Sequence, residues 1–135
     1  MPSFDDPAVD AAEAQEALRG LAHATRALDD PREIYTLLGS LTAAAASPKQ
    51  TLHQLAACHD GTSRKRAWLN GDPKAGRAAS YQVSWELHHA VGILRQVAAS
   101  LDRAHETEAQ IAYDHRDFPL LPEPTRSTPS PGLSL

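Results

Sequence analysis

Cysteine is almost missing: Cys58 is the only one in 135 residues. An intrachain disulfide is excluded, and so is a metal site built from cysteines alone. A lone free thiol reads as a reducing compartment. Aromatic residues are scarce too, at 5 %, although hydrophobic residues reach 41 %. The core must then be assembled from Leu, Ala, Val and Ile. That favours close helix packing over a β-sandwich, because strands draw on β-branched and aromatic side chains. No apolar run approaches the ~20 residues of a membrane-spanning helix. The opening stretch "MPSFDDPAVDAAEAQEAL" has neither a basic n-region nor an apolar core, so no secretory signal is expected. The expected location is cytoplasmic.

Positive charge is also in short supply. Lys and Arg number 13 against 17 acids, for a net charge of −4. Non-specific nucleic-acid binding by the whole surface is disfavoured. Yet Arg64, Lys65, Arg66, Lys74 and Arg77 crowd into "GTSRKRAWLNGDPKAGRAASY" against one acid, Asp72. A local phosphate site is therefore still open.

Helix starts are readable from proline. Asp6-Pro7 puts an N-cap before a proline at the first helical position. Asp30-Pro31-Arg32-Glu33 repeats this with the spacing of a capping box, and Ser47-Pro48-Lys49-Gln50 does so again. A first helix is expected over 7–28, with Ala11, Ala14, Leu18, Leu21, Thr25 and Leu28 on one face. A second runs over 31–59 along Ile34, Leu38, Leu41, Ala45, Leu52, Leu55 and His59, kinked or split at Pro48. Gly61 supplies its stop. The third and longest is expected over 80–113. It has two stripes: Leu87, Val91, Leu94, Ala98 and Leu101, and beside them Val83, Ala90, Val97 and Ala104, which share the leucines of the first. So wide an apolar face suits a helix that touches two neighbours in coiled-coil-like seams. The expected fold is all-α, an antiparallel three-helix bundle over 1–113 with a basic linker at 61–79. Leu94, on both stripes, is expected at its centre. The segment 114–135 holds five of the ten prolines and reads as a flexible proline-rich tail.

Four constellations are candidates for chemistry. Arg64, Lys65, Arg66, Lys74 and Arg77 could grip phosphates while Trp68 or Tyr81 stacks on a base. The plain alternative is a solvated linker. "GDPKAG" lacks the Gly-Lys-Ser/Thr ending of a phosphate-cradling loop. Glu86 and His89 have the Glu-x-x-His spacing of di-iron bundles, but no second such motif is evident. His53, Cys58, His59 and His88 would join a metal site only if the fold gathered them. Cys58 and His59 adjoin, but helical neighbours point about 100° apart, so adjacency makes no nucleophile–base pair. No Gly-x-Ser-x-Gly elbow and no His-Glu-x-x-His occurs. No catalytic residue, metal ligand set or cofactor motif is assigned. Finally, Tyr81, Trp85, His88, His89 and Gly92 fall away from the leucine stripe. A mid-helix glycine costs about 1 kcal/mol relative to alanine, and it permits close backbone approach. These five read as a partner-binding patch.

Two stretches, "ALRGLAHATRALDDPREIYTLLGSL" and "ELHHAVGILRQVAASLDRAHE", resemble uncharacterised small all-helical proteins of high-GC actinobacteria, some carried on mobile elements. The resemblance implies a bacterial cytoplasmic accessory protein and transfers no functional residue. The expected function is non-enzymatic binding through protein–protein contacts, with another protein or with a second copy. A nucleic-acid accessory role through the 64–77 segment is the alternative, and a metal-binding bundle the second.

Overall fold

The computed structural model describes residues 1–114. All regular elements among them are helical and no strand forms. The expected proline-rich tail lies, beyond Asp114, outside the described residues. Helix α1, Pro7–Ala24, starts as its sequence dictates: the Asp6 carboxylate accepts the backbone N–H groups of Ala8 and Val9 at 3.1 and 3.3 Å. A 3-10 turn, Thr25–Ala27, tightens its end. An elbow follows. Asp30 accepts the backbone N–H of Arg32 and a two-pronged guanidinium contact from the same residue, at 2.6–3.0 Å.

Helix α2, Glu33–Ala44, and helix α3, Ala46–Asp60, are parted by one residue, Ala45. Ala45 keeps right-handed helical angles, φ −68° and ψ −21°. The sequence places a kink or split at Pro48, and the break falls three residues earlier. Pro48 then sits in the first turn of α3, where a backbone donor would have no partner. Ser47 is inside the helix and caps nothing.

The basic linker expected at 61–79 is instead ordered helix and turn. Helix α4, Thr62–Arg66, comes first. Leu69 and Asp72 then exchange backbone hydrogen bonds of 3.1 and 2.9 Å around Asn70 and Gly71. Both central residues have positive φ, 49° and 80°. Asn-Gly is the pair that tolerates this reversal. The long helix α5, Pro73–Glu108, begins at once, with Asp72 capping Lys74 N–H at 2.9 Å and Pro73 in the first position. Asp72-Pro73 is thus a third copy of the start signal at 6–7 and 30–31. It moves the helix start seven residues ahead of the expected one. At 36 residues α5 spans about 54 Å.

Helices α3 and α2 pack end to end along α5, and α4 closes the corner. The pairing is antiparallel: His59 meets Ser80, Asp60 meets Ser84, and Tyr35 stacks on His105 at the far end with ring centroids 4.3 Å apart. The buried residues are small: Ala56, Gly76, Ser80, Ser84 and Val91. Leu94 is only half-buried. Within one chain the third member of the expected three-helix bundle is missing, because α1 contacts no helical element but the 3-10 turn. The second stripe of α5, which was to receive it, stays exposed at Val83 and Val97.

Candidate functional site

Near the corner, α3 and α5 trap a polar node. Ser80 is buried and donates to the His59 carbonyl at 3.2 Å. Its single proton is then spent, so His59 Nδ1, at 2.9 Å, is the N–H donor to Ser80 Oγ. One turn along, the buried Ser84 hydroxyl donates a short bond to Asp60 Oδ1. His88 Nε2 lies 3.1 Å from Asp60 Oδ2, and Arg64 Nη2 lies 3.2 Å from Oδ1. The His53 ring meets His88 edge-on at 5.7 Å. The Ser84 hydrogen bond, then that of His88, holds the Asp60 carboxyl below its ordinary value, and the charges of His88 and Arg64 add to this. Partial burial opposes the shift.

A depressed carboxyl contributes stability above its unfolded pKa of about 3.9 and loses it as pH falls through the folded value. Between about pH 5 and pH 2 the wild-type melting temperature should therefore fall more steeply than that of Asp60→Asn. Parallel curves for the two proteins would show that the node does not couple to folding.

Tyr81 and Trp85 stand at the surface of α5, 60 % and 50 % exposed. The Trp85 ring meets His89 edge-on at 5.1 Å. The Arg64 guanidinium sits 5.3 Å from the Tyr81 ring centroid, a cation–π contact. Of the five patch residues expected from sequence, Tyr81, Trp85, His89 and Gly92 share this outer side. His88 does not belong with them, since it turns to Asp60 on α3. Gly92 is also not a point of close approach within the chain: a Cβ there would meet nothing within 4 Å.

The basic cluster divides as well. Arg64 is held between Asp60 and Tyr81, so it is a structural cation. Lys65, Arg66, Lys74 and Arg77 are exposed, and none pairs with a carboxylate among the described residues. Trp68 beside them is 65 % exposed. The residues named for the metal alternative have the following neighbours. Gln82 bonds Glu86 at 3.2 Å, His88 faces Asp60, His89 faces Trp85 and His59 faces Ser80. Among the described residues no three His, Cys, Asp or Glu side chains lie together as a metal would need. Cys58 is exposed.

Asp60, Ser80 and Ser84 escape a reading that searches for apolar stripes. A signal was present nonetheless. Gly76, Ser80 and Ser84 recur every four residues and continue in phase into Leu87 and Val91, which is the spacing of one helix face. No helix among the described residues is long and apolar enough to cross a membrane. No family model, curated protein or solved structure matches this chain.

Proposed function

We propose that the protein is a non-enzymatic helical binding protein of the bacterial cytoplasm, working through the outer side of α5 on another protein or a second copy. One observation carries the reading. Two large aromatic side chains, Tyr81 and Trp85, sit exposed on a helix whose opposite side buries nothing bulkier than valine. Rigid amphipathic aromatics of this kind anchor interfaces, and Trp and Tyr head the residues whose loss costs most binding energy. His89 edges the Trp85 ring and Gly92 leaves room beyond it. A partner helix can approach there without displacing a side chain.

The second reading is a nucleic-acid accessory protein. It is favoured by the uncompensated cations Lys65, Arg66, Lys74 and Arg77 next to Trp68. Arg64 drops out of it, being committed to Asp60.

One capture experiment separates the two. Tagged full-length wild type, Trp85→Ala and a Lys65→Gln/Arg66→Gln double variant are used to recover partners from the native host, with nucleic acid retained. We expect Trp85→Ala to lose at least tenfold of the partner signal at constant helicity, and the double variant to keep it through rising salt. A signal that dies steeply with salt and with the double variant, while Trp85→Ala retains it, would replace the first reading by the second.

A further inference from the structure

The chain has a single asparagine, Asn70, and a glycine follows it. This pair forms the turn between α4 and α5. Both residues are exposed, with φ of 49° and 80°. Leu69 and Asp72 exchange the two backbone hydrogen bonds that close the turn, which leaves the Asn70–Gly71 peptide out of that exchange. Among the described residues neither the Gly71 N–H nor the Asn70 side-chain amide has a hydrogen-bond partner. A Cβ on Gly71 would meet nothing within 4 Å, so the peptide lies open to water.

Asparagine is a thermolabile residue. Its side-chain carbonyl carbon can be reached by the backbone nitrogen of the next residue, because the closure makes a five-membered ring. Glycine in that position offers no side chain to obstruct the attack and the widest choice of backbone angles. A comparison is built into the chain. Asp60–Gly61 is its other pair of this kind, and there both reacting groups are engaged. Gly61 N–H donates to the Ala57 and Cys58 carbonyls at 3.1 and 3.3 Å. The Asp60 carboxylate accepts from Ser84, His88 and Arg64. None of these restraints acts at Asn70–Gly71.

We propose that Asn70–Gly71 is a self-modification site that alters the corner of the fold. The Gly71 nitrogen gives up its proton to solvent and bonds to Asn70 Cγ. The Cγ–Nδ2 bond breaks, and the side-chain nitrogen leaves as ammonia. Water then opens the succinimide. Attack at Cγ yields an aspartyl residue, and attack at the main-chain carbonyl carbon yields an isoaspartyl residue. One water enters and one ammonia departs, with no change of oxidation state. The aspartyl product keeps the turn, since Asp-Gly suits it as well as Asn-Gly does. The isoaspartyl product adds one atom to the main chain. The segment ahead of it has no slack to absorb that atom, because a Cβ on Gly76 would already lie 2.1 Å from the Ala67 carbonyl oxygen. The isoaspartyl form therefore opens the corner. This goes beyond the binding reading above and does not rest on it.

Mass spectrometry of the full chain, aged in mildly alkaline buffer, tests the site. Wild type should gain one mass unit, mapped to the peptide that holds Asn70. Its native rate should lie within tenfold of the rate in guanidinium chloride. Asn70→Gly preserves the turn and should gain nothing. The isoaspartyl form, separated by chromatography, should unfold at lower denaturant than Asn70→Asp. A native rate more than tenfold below the unfolded one overturns the proposal, since the fold would then protect the pair. Isoaspartate that accumulates at residue 60 ahead of residue 70 also overturns it. So does an isoaspartyl form as stable as Asn70→Asp, because the corner would then have stayed shut.

Discussion

Gly76→Ala is expected to destabilise the protein by about 1–3 kcal/mol, against the ordinary rule that alanine improves a helix. The added methyl carbon would lie 2.1 Å from the Ala67 carbonyl oxygen, 2.3 Å from its carbon and 2.5 Å from the Trp68 nitrogen. All three are backbone atoms of the segment that crosses α5 at the corner, so no side chain can swing aside. Helix propensity would return about 1 kcal/mol, and the clash outweighs it. Gly92→Ala is the internal control. It lies on the same helix with open space around it, and should stabilise by about 0.5–1 kcal/mol. Urea melts of the two variants at one protein concentration decide the matter. Equal stabilisation of both would mean that the corner does not sit on α5 as described.

Ala56→Leu is expected to cost about 1–3 kcal/mol by overpacking. Ala56 is fully buried on α3, at a level that the surrounding His59–Ser80, Asp60–Ser84 and His53–His88 pairs set opposite the middle of α5. Small residues on both sides let the helices come close, and three extra carbons force them apart or push a side chain off its rotamer. The neighbouring Ala57 is exposed. Ala57→Leu should stay within about 0.5 kcal/mol of wild type. If the two leucines behave alike, α3 presents a different face to α5. Hydrogen bonds at His59 and Asp60 add a second readout, since wedging the helices should also erase the Asp60 dependence on acid pH.

Helix identity was readable because proline and aspartate act locally. Asp6-Pro7 works through its own next two residues, whatever the rest of the chain does. The same logic at Asp72-Pro73 was obscured by the charges around it, which read as a linker. Its Asn70-Gly71 turn was an equally local signal. The α5 seam through Leu87, Val91, Leu94, Ala98 and Leu101 follows from period alone. What period cannot supply is which stripe finds a partner inside the same chain. The α1 stripe and the second α5 stripe look alike in sequence to those that pack, so Leu94 was placed at the centre of a core in which it is only half-buried. Site residues were harder for a related reason. His88 and His89 are adjacent letters, yet one bonds across to Asp60 and the other touches Trp85. That division depends on the angle at which α3 meets α5, and no single-helix pattern encodes it.

The tight corner between α3 and α5 has a kinetic consequence. His59 and Ser80 are 21 residues apart along the chain, while Tyr35 and His105 at the opposite end are separated by more than three times as much. Closing the longer loop first would cost about 1 kcal/mol more in chain entropy. Folding should accordingly begin at the corner and zip outward, with low contact order and a fast rate. Opening runs the other way. Backbone amides around Tyr35 and His105 should exchange with solvent well before those around Ser80 and Ser84, so the molecule frays from the end that holds its elbow and stays shut at the end that holds its buried serines.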